Sequence, residues 1–240
     1  LKQKNNDGAT TLRKGGFIWL IIAALGTIVL WQFPWGNYIL YPFTILSTWF
    51  HEMGHGLTAL VLGGNFRKLI IYANGSGLAF YGGHVVFGDM GRAVVAAGGP
   101  LGPTLAGAVF ILAGRRNNTA HYCLILLGII LFVSAFIWVR SIVGLTAVCL
   151  SGAIVLLIAL KAAHGFESFS IQFLGVQACV SVYRQLGYLF THSVVIGGEP
   201  MLSDTGQIAD YLFLPYWFWG LTLAGLSLLI PVVSLRIAYR

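Results

Sequence analysis

Residues 121–160 contain one formally charged side chain, Arg140. Run as a single helix they would extend about 60 Å, twice the hydrocarbon core of a bilayer, so they read as two membrane spans that turn near Arg140-Ser141. The rest of the chain is of the same kind. Of its 240 residues 58% are hydrophobic and 9% charged, whereas about a quarter of a soluble domain is charged. That inventory excludes a soluble globular protein, and also a disordered chain, which needs low hydrophobicity. A net charge of +7 is spread too thinly for a nucleic-acid binder. Cys123, Cys149 and Cys179 each sit alone in an apolar run, with no C-x-x-C pair, and read as packing residues. The expected fold is an all-α polytopic membrane protein of six or seven transmembrane helices.

A basic arm, residues 1–16, carries Lys2, Lys4, Arg13 and Lys14 against Asp7, and a first span follows over about 17–33. No A-x-A-like cleavage site follows that apolar run, so it reads as a retained span rather than a signal peptide. Trp31, Phe33, Trp35 and Tyr38 close it as interfacial aromatics, and the arm is then cytoplasmic. The second span is expected over about 42–62, from Pro42 to the Gly63-Gly64 stop. Beyond it, the β-prone runs 69–73 and 78–81 flank Asn74-Gly75-Ser76-Gly77 and predict a small membrane-associated hairpin over about 69–81. The next span, about 92–113, is expected to be broken by Gly98-Gly99-Pro100-Leu101-Gly102-Pro103. Spans follow over 121–139, 142–160, 169–190 and 216–237; Gln172, Gln177, Arg184 and Gln185 should turn the 169–190 span toward protein. Residues 17–240 read as one integral-membrane domain. Basic residues at the expected cytoplasmic ends outnumber those opposite, but Arg115-Arg116 fall on the other side of that count.

Inside the second span stands His51-Glu52-Met53-Gly54-His55. Residues four apart share a helix face, so both imidazoles can reach one ion. Glu52, one step round, can approach a metal-bound water without being a ligand: H-E-x-x-H joins two zinc ligands to a general base. His51 lies about 14 and 18 Å from the two ends of the span, which puts Glu52 near the bilayer centre, where an acid is costly and rarely without function. The alternative is a polar cluster that joins helices by hydrogen bonds, for which one polar residue would suffice.

With its apolar H-E-x-x-H helix, the hairpin-like segment after it, the Gly/Pro-interrupted span and an aspartate at a downstream loop-to-helix junction, the sequence resembles the site-2-protease family of intramembrane zinc metalloproteases. It looks like the compact form without a PDZ-type insertion. The resemblance implies one Zn2+ per chain, a lipid bilayer around it, a transmembrane protein as substrate, and a bacterial inner membrane or a cyanobacterial or plastid membrane as its place. It also implies a third ligand, an aspartate closely followed by glycine at a helix start. Among the remaining acids and histidines, Asp7, Asp89, Glu167, His164, His84, His121, His192 and Glu199 fall in the arm, in loops or near interfaces. Asp204, with Asp210 behind it, best matches the family's aspartate, although Thr205 intervenes before Gly206. Ser203 or Asp204 could equally be a helix N-cap. A half-helix from Asp204 to Pro215, about 16 Å long, would set Asp204 at the depth of His51.

The expected assignment is therefore Glu52 as catalytic base and His51, His55 and Asp204 as zinc ligands. Asn74, Gly75, Gly98 and Pro100 are candidates for substrate contact, the hairpin edge being able to pair with an unwound segment. Gly54 and Gly56 would let a substrate backbone approach, or would serve helix packing. Two other classes compete with an endopeptidase. A catalytically idle relative that binds membrane proteins would be marked by loss of Glu52 or a histidine, and none is lost. A transporter would show inverted halves with matching broken helices, and no matching half is found.

Overall fold

The computed structural model describes residues 18–239, so the arm of residues 1–16 lies outside the described residues. The elements run α1 (Ile18–Leu30), α2 (Pro34–Ile39), α3 (Tyr41–Val61), β1 (Asn65–Ile71), β2 (Gly77–Gly82), α4 (Gly88–Ala113), α5 (Asn117–Ile137), α6 (Ile142–Lys161), α7 (His164–Leu189), β3 (Ser193–Ile196), β4 (Glu199–Leu202), α8 (Asp204–Tyr211) and α9 (Tyr216–Tyr239). Among the described residues four helices, α4, α5, α6 and α9, are long and apolar enough to cross a membrane. α3 and α7 have the length but carry the buried polar side chains, among them Ser47, His51, Glu52 and His55 on α3 and Glu167, Gln177 and Ser181 on α7. α1 falls within the expected first span and is described from Ile18 onward. Its described residues cover about 20 Å at about 1.5 Å per residue.

α3 begins with Pro42 in its first turn, where a missing amide costs nothing. It ends in a Schellman turn: Gly63 takes φ +84°, its N–H bonds Leu60 O, and Gly64 N–H bonds Ala59 O at 2.8 Å. The chain then reverses into the β1–β2 hairpin, which lies back along α3. Thr48 Oγ1 donates to Gly75 O at 2.6 Å and Tyr41 Oη to Ala73 O at 3.0 Å, tying the turn to the start of α3. The hairpin is longer than residues 69–81 because Asn65–Lys68 pair with Phe80–Gly82 around a bulge between Phe66 and Lys68.

In lipid, helices gain little by hiding apolar surface and associate where small residues let backbones meet. Three of the helix pairs do so through glycines. On α3 and α4 a Cβ at Gly54 would stand 2.1 Å from Gly98 O; on α4 and α7 one at Gly107 would stand 2.6 Å from Gly175 O; on α5 and α6 Gly128 faces Leu156 and Gly152. Gly56 is occupied too, since Phe66 of β1 fills its face. Both motif glycines therefore serve packing. The largest apolar core joins Trp49 and Met53 of α3, Leu69 and Ile71 of β1, Leu124 and Leu131 of α5, Val148 of α6 and Ile171 of α7.

The expected break in the fourth element does not occur. α4 is continuous from Gly88 to Ala113 through Pro100 and Pro103, both buried. Each ring removes the amide that would bond the carbonyl four residues back, and the helix persists because α3, α7 and α9 pack around it. A second hairpin, β3–β4, occupies what reads in sequence as a polar loop, and α8 stops at Tyr211 rather than reaching Pro215. The charge count also resolves differently. Leu20 near the start of α1, Ile111 near the end of α4 and Ala238 at the end of α9 share one cluster. Arg115-Arg116 therefore lie at the same end of the bundle as Leu20.

Candidate active site

The α-helical pitch of α3 sets His51 and His55 side by side, with ring centroids 4.9 Å apart. Their Nε2 atoms are 3.2 Å from each other. His55 Nδ1 donates to Val95 O of α4 at 2.9 Å. A carbonyl only accepts, so the proton sits on Nδ1 and the Nε2 lone pair is directed at His51. Gly99 of α4 makes room for this ring: an added Cβ would stand 2.1 Å from His55 Nε2. On the other side Tyr81 of β2 stacks over His55 at 5.8 Å, its hydroxyl donating to Gln207 of α8 at 3.3 Å. Glu52 is buried one step round the helix and faces the hairpin backbone at Gly77 and Ala79; a Cβ on Gly77 would meet Glu52 Oε1 at 2.7 Å.

Asp204 comes from about 150 residues further along the chain, at the start of α8. Ser203, not Asp204, is the N-cap, its Oγ accepting from Gly206 N–H at 3.0 Å. The same hydroxyl donates to Thr191 O. Thr205 Oγ1 donates to Leu189 O at 3.0 Å, and Asp204 N–H bonds the Tyr188 hydroxyl at 3.1 Å. These bonds pin the first turn of α8 to the C-terminal end of α7, and the capping duty being taken, the Asp204 carboxylate points inward. The threonine between Asp204 and Gly206 is thus one of the pins.

The carboxylate reaches both histidines. Oδ2 is 3.0 Å from His51 Nε2 and Oδ1 3.2 Å from His55 Nε2. The three ligand atoms all lie within 4.8 Å of one another, and all three residues are buried. Asp204 Oδ2 makes no well-formed hydrogen bond despite its burial. Lone pairs that converge at contact distance without a shared proton are costly, and a cation between them removes the cost. Two imidazole nitrogens and one carboxylate oxygen are the donor set of a catalytic zinc site, which keeps a further position open. The residues present therefore fit a zinc ion.

A cavity of about 420 Å³ opens onto these groups. One wall is the β1–β2 hairpin. β1 is already paired on its far edge, Leu69 N–H to Trp138 O and Arg140 N–H to Leu69 O, both at 2.9 Å. Among the described residues the edge of β2 is therefore the free one, and Gly77, Leu78, Ala79 and Tyr81 line the cavity. The opposite wall is β3–β4, with Val194–Ile196, Met201 and Leu202.

Of the expected substrate-contact residues, Asn74 and Gly75 line the cavity, whereas Gly98 packs on Gly54 and Thr58 and Pro100 is buried in α4. The other acids and histidines lie elsewhere. Asp89 pairs with Arg92, Asp210 and Glu199 are exposed, and His84 and His192 are exposed. Glu167 is 2% exposed and accepts from His121 and His164 at 3.2 and 3.1 Å, a structural clasp between α5 and α7. Sequence reasoning does not reach the positioning roles of Gly99, Tyr188, Thr205 or Val95 O, although Gly99 lies in the Gly98–Pro103 run and Thr205 between Asp204 and Gly206.

The family model described as Peptidase M50B-like matches residues 19–234. The chain belongs to this family. No curated protein and no solved structure matches it. M50 peptidases are zinc-dependent membrane proteases, and the H-E-x-x-H helix, the buried His51–His55–Asp204 group and the four membrane-length helices of this M50B-like chain agree with that class.

Proposed function

We propose that this M50B-like chain is an intramembrane zinc metalloendopeptidase that hydrolyses peptide bonds of transmembrane or membrane-associated proteins. Residues 17–240 then act as one catalytic domain within the bilayer. The observation that carries the reading is the convergence of His51, His55 and Asp204 at one point, with Glu52 buried beside them at the floor of a cavity that has a free strand edge.

His51 Nε2, His55 Nε2 and one Asp204 oxygen would hold a zinc ion. Zinc bound there supplies Lewis-acid polarisation of a carbonyl and a water acidic enough to ionise near neutrality. The chain's own groups do the rest. The Glu52 carboxylate takes the proton of the attacking water and delivers it to the leaving amine nitrogen. The β2 edge pairs with an unwound, extended stretch of substrate through backbone hydrogen bonds, with Asn74 and Gly75 at the turn. Gly77 brings that backbone against Glu52. Val95 O and Tyr188 keep His55 and Asp204 in register with it.

The test is zinc content and cleavage side by side in detergent-purified protein. Glu52→Gln keeps zinc and loses cleavage by about 10²–10⁴-fold, the usual scale for a general base. His55→Ala and Asp204→Ala lose zinc. A wild-type chain without zinc, or an Asp204→Ala chain that binds it as tightly as wild type, refutes the assignment.

A further inference from the structure

The cavity above Glu52 is lined by twenty-four residues, and Arg184 of α7 is the only Lys or Arg among them. An arginine on a helix within a membrane protein is costly unless it is paired or wetted. No carboxylate among the described residues pairs with this one. Its guanidinium is held rather than loose: Nη1 donates to Thr44 Oγ1 of α3 at 3.0 Å, and the group lies over the Trp31 ring at 5.5 Å. The two acids that share the cavity, Glu52 and Asp204, are buried in the proposed catalytic group. The fork of Arg184 therefore faces the cavity with donors to spare, a geometry that matches a planar carboxylate.

We propose that Arg184 is a specificity-determining residue that binds a substrate carboxylate three or four residues from the bond that is cut. This deepens the protease reading and rests on it. The spacing follows from the fold. Thr44, which anchors the guanidinium, is eight positions before Glu52 on α3, about 12 Å along the axis. An extended peptide covers that distance in three to four residues at about 3.3 Å each. Between the two points the cavity is lined by Ser47, Thr48 and Ser181, whose hydroxyl protons are committed to Ser181 Oγ, Gly75 O and Ala178 O, so that their oxygens can only accept. The carboxylate can belong to an Asp or Glu side chain or to a chain terminus. A lipid phosphate is the competing occupant, but both Arg184 and the Thr44 that anchors it line the cavity that holds Glu52.

The experiment uses the zinc-loaded full chain in detergent with synthetic apolar transmembrane peptides, C-terminally amidated, that share a central Asn-Gly and carry one Asp moved stepwise. Mass spectrometry locates the cut. The cut follows the Asp at a fixed offset of three or four residues, and Asp→Asn in the peptide raises KM by about tenfold or more with kcat little changed. Arg184→Gln abolishes the offset, and Arg184→Glu transfers the preference to Lys-bearing peptides. A peptide without Asp but with a free terminal carboxylate at that offset separates the two sources. A second arm measures fluorescence anisotropy of the Asp and Asn peptides on Glu52→Gln protein, with and without Arg184→Gln. A tenfold affinity ratio that disappears with Arg184→Gln supports the carboxylate site even if wild type cuts nothing, in which case only the protease reading falls. Equal affinities, or cuts that ignore the Asp, overturn the site while leaving the protease intact. An Arg184→Gln variant that loses only stimulation by phosphatidylglycerol vesicles over phosphatidylcholine ones assigns the residue to lipid and also overturns it.

Discussion

Gly99→Ala is the sharpest perturbation of the metal group that leaves every ligand in place. The added methyl would stand 2.1 Å from His55 Nε2 and 2.3 Å from Cε1, where contacts settle near 3.5 Å. The imidazole must withdraw by more than 1 Å. It cannot do so and keep its 2.9 Å bond to Val95 O, because that carbonyl is on α4, as Gly99 is. One ligand of three is then lost. Structural zinc sites with four ligands bind with about 10–16 kcal/mol, about 3 kcal/mol per ligand, so zinc affinity should fall roughly a hundredfold. The fold should survive: alanine gains about 1 kcal/mol of helix propensity over glycine, against about 1–3 kcal/mol of overpacking. Competition with a chromophoric chelator measures the affinity, and thermal unfolding in EDTA measures the metal-free stability. Gly187→Ala on α7, whose Cβ meets nothing within 4 Å, is the control. A Gly99→Ala protein that holds zinc within about threefold of that control would refute the argument that α4 presses His55 onto the ion.

Tyr188→Phe removes the acceptor of the Asp204 amide and should weaken zinc about 10- to 100-fold, as loss of a ligand's supporting bond does; a cobalt-substituted sample should show the altered ligand field in its visible spectrum. Thr205→Val leaves Leu189 O without its hydroxyl donor and should cost about 1–3 kcal/mol, read as a lower midpoint in thermal unfolding, with Thr205→Ser restoring most of it. Glu167→Ala strips the α5–α7 clasp of its carboxylate and should lower stability by about 1–3 kcal/mol without changing the zinc affinity of the metal-loaded protein. A Glu167→Ala variant that loses zinc would show that the two clusters are coupled.

What could be read from the sequence was whatever a short run of residues determines. His51, Glu52 and His55 depend on the pitch of one helix, and Gly63-Gly64 on one turn, so both were visible. β1–β2 was visible through Asn74-Gly75 between apolar runs. β3–β4 was not, although Gly197-Gly198, with φ of +62° and +90°, is a two-residue hairpin turn; Pro200 and the exposed Ser193 and Glu199 made the flanks look like loop. Pro100 and Pro103 suggested a break because proline's local cost is certain, whereas the packing that overrides it comes from three other helices. Asp204 was reachable by family likeness alone. The bonds that aim it, from Tyr188, Leu189 and Thr191, join positions that only the fold brings together.

The metal group has a place in time as well as in space. His55 and Asp204 are separated by about 150 residues, which a ribosome takes on the order of 8–30 s to add at 5–20 residues per second. Throughout that interval the growing chain owns two imidazoles and a glutamate but lacks the aspartate that completes them, and the α7 end that would hold it is itself made late. On the proposed function, a chain at that stage lacks one of the three groups that would hold zinc. The three side chains come together only once the first turn of α8 has been added, after α1 to α7.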